Sequence, residues 1–108
     1  MSELGRLVAE SADAADLHAT VPTLLLELQT LLGALTATAT AGSDRGRRPF
    51  RPSADWPSRL GELAYGVYLL ADQTGVTIEQ VVTATATQVR QRVVPARTAE
   101  AGWPFDPA

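Results

Sequence analysis

The stretch Leu60–Val82, LGELAYGVYLLADQTGVTIEQVV, constrains the fold most, because it holds the end of one helix and the start of the next. Leu60, Leu63, Ala64, Val67, Tyr68, Leu70 and Ala71 recur at helical spacing and predict one face built for burial. Gly75 stands where a helix end needs a left-handed residue, a conformation glycine takes without a Cβ penalty. Thr77 and Gln80 then have the spacing of a capping box, with Val76 and Val81 placed as a hydrophobic staple. Such a corner predicts helix on both sides. Glu62 is a lone acid among apolar neighbours here, and its role bears on function.

The rest of the chain continues in helices. Residues 3–19 predict a weakly amphipathic helix whose acids, Glu3, Glu10, Asp13 and Asp16, form a solvated face. His18, the single histidine, has no evident partner acid and is expected at the surface or against a helix C-terminus. Thr20 can cap a second helix with Pro22 in its first turn, running from Thr23 to about Thr40. Its leucines at 24, 25, 26, 28, 31, 32 and 35 cover well over half the circumference, which predicts burial on more than one side. Glu27 is its only acid.

Ala41–Ser53 has the glycines, prolines and Ser-Asp pair of a loop. Arg45, Arg47, Arg48 and Arg51 surround Phe50, a grouping suited to a phosphate or a base, or simply to a flexible, solvated loop. Asp55 or Ser53 caps a third helix that has Pro57 in its first turn and reaches about Thr74. A fourth spans Ile78–Val93, with Ile78, Val81, Val82, Ala86 and Val89 on one face, and Pro95 ends it. The expected architecture is an all-α, four-helix bundle in one domain, residues 1–95. The tail 96–108 either hangs loose or docks through Trp103 and Phe105.

At 108 residues the core is small, so completion by a homodimer or homotetramer is expected. The net charge of −3 gives no general attraction to nucleic acid or an anionic membrane. The absence of cysteine excludes disulfides, thiolate metal sites and thiol nucleophiles. The N-terminus lacks a secretory pattern, and the apolar run Leu24–Leu28, broken by Glu27, is short for a bilayer. A cytoplasmic location is the expectation.

A divalent cation such as Mg²⁺ needs several oxygen ligands, which two helices can supply by presenting acids three or four residues apart. In this the chain resembles the MazG-like all-α nucleoside triphosphate pyrophosphohydrolases. The resemblance is best over Arg59–Arg92, where LADQTGVTIEQVV matches the family's turn between its last two helices, and weaker over Leu24–Leu35. It implies an oligomeric helical bundle. It further implies Mg²⁺ held by Glu-x-x-Glu and Glu-x-x-Asp elements, and cleavage of a nucleoside triphosphate to monophosphate and pyrophosphate.

Here those elements read Glu27-Leu28-Gln29-Thr30 and Glu62-Leu63-Ala64-Tyr65. The first acid of each is kept; Thr30 and Tyr65 replace the second. Leu26 stands for a further acid, and Thr85 and Val89 for the family's lysine and asparagine. Losing half the carboxylates at a hard-cation site weakens metal affinity severely. The expected protein is a degenerate, non-catalytic, oligomeric binding or regulatory module that needs no cofactor. Glu27 and Glu62 would be remnant Mg²⁺ ligands, and Thr30, Tyr65, Tyr68 and Arg48 would face a ligand such as a nucleotide. The alternatives are an active Mg²⁺-dependent pyrophosphohydrolase and a structural partner of another protein. On a purely structural reading Glu27 and Glu62 face solvent or pair with Arg59 or Arg90. A third reading has Asp55 or Asp72 supply ligands instead, with Asp72 expected rather to serve the helix junction.

Overall fold

The computed structural model describes residues 2–93; the expectations for Pro95 and for the 96–108 tail with Trp103 and Phe105 lie outside the described residues. The chain is all-helical over this range, with α1 (Glu3–Ala14), α2 (Val21–Gly42), α3 (Trp56–Gln73) and α4 (Ile78–Val93).

The first three helices end in one way. After α3 the Val76 N–H donates to the Ala71 carbonyl at 2.8 Å and Gly75 N–H to Asp72 at 3.2 Å, with Gly75 at φ 73°. This is the Schellman arrangement that the glycine predicts. α1 repeats it through Leu17 N–H to Ala12 and Asp16 N–H to Asp13, and α2 through Arg45 N–H to Thr40 and Asp44 N–H to Ala41. The left-handed residue there is Asp16 (φ 56°) or Asp44 (φ 48°) instead of glycine. Aspartate tolerates this region better than most residues, at some cost. That substitution explains why α1 stops at Ala14, well short of residue 19, and why α2 runs on to Gly42.

Helix starts divide between side-chain and backbone caps. Ser2 Oγ accepts from Gly5 N–H at 2.8 Å, and Thr20 Oγ1 accepts from Thr23 N–H at 3.4 Å. The expected cap of α3 is not made: Asp55 occupies the N-cap position in a helical conformation with no side-chain bond. Trp56 N–H instead donates to the Ser53 backbone carbonyl at 3.1 Å. α4 opens with Gln80 and Val81 N–H groups on the Thr77 carbonyl.

The arginine-rich loop folds back on α2. Arg51 N–H donates to the Gly42 carbonyl at 3.1 Å, and Phe50 meets Trp56 edge-on at 4.9 Å. A Cβ on Gly42 would lie 2.6 Å from the Arg51 carbonyl oxygen, so this closure requires glycine. Phe50 thus serves the loop's own packing.

α2 crosses α3 at Gly66, where a Cβ would lie 2.7 Å from Leu28 Cδ2 and 3.0 Å from Leu31 Cδ1. Ala12, Leu24 and Leu69 form the centre of the core, with Ala19, Tyr65 and Leu70 packed around them. Burial is otherwise thin. On α2 only Leu24 and Leu35 are buried among the described residues, and Leu25, Leu26 and Leu32 are exposed. The expected burial on more than one side is absent from the single protomer. At 22 residues α2 is long and apolar enough, by length and composition alone, to cross a membrane. No residue of α4 from Ile78 to Arg92 is buried.

Candidate functional site

The α2–α3 crossing leaves a groove of about 930 Å³ on one side. Both candidate glutamates line it, with Thr30 and Tyr65, so the two helices bring the predicted pairs together. Most of the remaining wall is apolar, supplied by Leu17, Leu24, Leu28, Leu31, Ala34 and Leu69.

The polar groups in the groove are largely committed to their own chain. Glu62 Oε1 accepts from Arg59 Nη1 at 2.8 Å, one helical turn away on α3. That hydrogen bond, with the attraction between the charges, raises the Arg59 pKa above its ordinary value. Tyr65 Oη shares a hydrogen bond with Ser11 Oγ at 2.7 Å. Thr30 Oγ1 donates to the Leu26 carbonyl at 3.3 Å, a back-bond along its own helix. Glu27 is exposed, with no ion-pair partner among the described residues.

Without a phosphate this donor set offers Mg²⁺ little charge. Among the described residues no group of three or more acids or histidines is placed to hold a metal. Two carboxylates remain, and Arg59 already neutralises one of them. Mg²⁺ keeps several of its waters in such sites and takes one or two carboxylates together with substrate phosphates, so Glu27 and the Arg59-paired Glu62 would hold it weakly by themselves.

Two expected ligand-facing residues lie elsewhere. Tyr68 lines a small cleft of about 40 Å³ with Ser2, Gly5, Ala71 and Ile78, away from the groove. Three residues beyond Tyr65 it is turned about 60° round the helix axis, enough to place it beside the start of α1. Arg48 is exposed in the loop, with Nε 3.9 Å from Asp44 Oδ2. It is not a groove residue.

Asp72, a further candidate ligand, has a different task. His18 Nε2 lies 2.8 Å from Asp72 Oδ2, so the histidine does have a partner acid, contrary to expectation. Tyr65 and Asp72 sit two turns apart on α3 and hold Ser11 and His18 respectively. These bonds tie α1 and the segment after it to α3. Nothing in the local sequence pairs residues 54 positions apart. Gly33, Gly61 and Gly66 all interrupt helical patterns, and of these only Gly66 meets a neighbour, so glycine alone did not mark the crossing.

No protein-family model, curated protein or solved structure matches this chain.

Proposed function

We propose that the chain is a non-catalytic helical binding or regulatory module that assembles with copies of itself, a MazG-like scaffold whose metal site has decayed. The observation that carries this reading is the α2–α3 groove: Glu27 and Glu62 share it, and the hydroxyls standing for the lost acids are consumed by Ser11 and Leu26. The apolar walls suit an apolar ligand or a protein segment better than a triphosphate, whose charge needs free cationic donors. Arg59 is the one cation on the wall among the described residues, and Glu62 holds it.

Self-assembly is supported by the thin core. The buried apolar residues among those described are Val8, Ala12, Leu24, Leu35, Leu69 and Ala71, while Leu4, Leu7, Leu25, Leu26 and Leu32 stand in solvent. Leu25 and Leu32, two turns apart on one face of α2, are apolar surface that a second copy would cover. The close α2–α3 crossing at Gly66 and the position of Glu27 within α2 favour a bundle helix over a membrane span.

Incubation of the pure protein with each common NTP and dNTP, with Mg²⁺ or Mn²⁺, should release no pyrophosphate above a blank. Release that disappears in Glu27→Gln or Glu62→Gln would overturn the non-catalytic reading. Light scattering should give a multiple of the 11.4 kDa chain mass, and a clean monomer would remove self-assembly.

A further inference from the structure

We infer that the α2–α3 groove is filled by α4 of a second copy of the chain. This rests on the self-assembly reading above and names the element that completes the interface.

Size is the first support. A helix with its side chains, about 10 Å across, occupies roughly 120 Å³ per residue. A groove of about 930 Å³ therefore matches roughly two turns of one helix. The walls, Leu24, Leu28, Leu31 and Leu69, are those of a helix-binding groove.

The second support is that α4 has a complementary stripe whose middle, Val82 and Thr85, stays exposed within the protomer, while Ile78 and Val89 are half-buried. Ile78, Val82, Thr85 and Val89 follow the i, i+4, i+7, i+11 pattern of one helical stripe, and Val82 is 55% exposed. α4 leaves the body at the Gly75 corner, where Ile78 meets the end of α3 beside Ala71 and Asp72. The groove lies along α3 from Ser58 to Leu69, short of that corner.

Charge supplies the third. Arg90 flanks the α4 stripe, and Glu27 is the groove carboxylate that Arg59 does not neutralise. With α4 running antiparallel to α2, Arg90 meets Glu27 when Val82 lies beside Ala34. The separations match: seven residues on α2 and eight on α4 are about 10.5 and 12 Å of helix. Two copies that exchange α4 fill both grooves and close with two-fold symmetry, the Gly75–Thr77 segment acting as the hinge.

The chain has no cysteine, so introduced pairs report one contact at a time. Single variants Ala34→Cys and Thr30→Cys in the groove are each co-refolded with Val82→Cys or Thr85→Cys on α4, then mildly oxidised. The expected result is a reducible covalent dimer in at least one mixture, well above the dimer formed by either variant alone. No mixed dimer in any of the four combinations overturns the proposal. So does a cross-link that forms only inside one chain of the Ala34→Cys/Val82→Cys double variant, which places α4 in its own groove. Light scattering on the same samples separates the two failures: an oligomer without cross-links leaves self-assembly standing, and a monomer removes both. Arg90→Glu should weaken association at least tenfold, and adding Glu27→Arg should restore most of it. Equal association in all three forms counts against the Arg90–Glu27 register and overturns it.

Discussion

α1 and α4 both pack on α3, yet one contact is closed and the other open. α1 buries Val8 and Ala12, the latter completely, and the Ser11–Tyr65 and His18–Asp72 bonds flank that contact. α4 is longer, 16 residues against 12, and none of its described side chains is buried. The difference lies in where the turn beside each helix sends the chain. The Schellman turn at Asp16 brings it back over α3, so that His18 reaches Asp72. The same turn at Gly75 instead ends the protomer's core and sends α4 off at a corner. One motif thus closes one side of the molecule and leaves the other side unfinished.

Substitutions can break the closed side and probe the open one. Leu69→Ala removes a side chain 5% exposed at the core centre and should cost about 2–4 kcal/mol, read as a lower urea midpoint. Gly66→Val forces branched volume against Leu28 and Leu31 and should cost about 1–3 kcal/mol; Gly66→Ala should be milder, because leucine methyl ends can shift and alanine favours helix. His18→Ala leaves Asp72 without its partner and should cost about 1 kcal/mol by the same measurement. Asp16→Gly relieves a left-handed aspartate and should stabilise by about 0.5 kcal/mol, seen as a small rise in Tm.

The smallest effect in a lone protomer belongs to α4. Val82→Ser should change protomer stability by less than about 0.5 kcal/mol, because the side chain is already in water. Should α4 be covered by a second copy, the same change would lower Tm more at high protein concentration than at low. That dependence on concentration distinguishes a covered α4 from an idle one.

Much of the helical layout was legible. Gly75, Thr20, Pro22 and the stripe along α3 mark boundaries through local backbone chemistry, and α4 spans the residues its pattern predicts. The ends of α1 and α2 were less legible, since Asp16 and Asp44 do there what glycine does after α3. Of the candidate site, register places Glu27 with Thr30 and Glu62 with Tyr65 on one face of each helix, whereas that the two faces meet was expected only from the family resemblance. Tyr68 and Arg48 lay beyond that register, because which face of α3 meets α1, and how the loop folds on Phe50, depend on packing between distant segments.

By itself the sequence determines that the chain is helical, where the α3–α4 corner falls, and that Thr30 and Tyr65 stand three residues after Glu27 and Glu62. These depend on residues close together in the chain, where glycine, proline and apolar spacing act directly on the backbone. Only the tertiary structure decides that Tyr65 and Asp72 are spent on Ser11 and His18, and that the groove between α2 and α3 is lined mainly by leucine. The groove depends on how closely Gly66 lets α3 approach α2, and the two bonds on how α1 packs against α3, contacts between residues nearly forty to 54 positions apart. No local pattern encodes them.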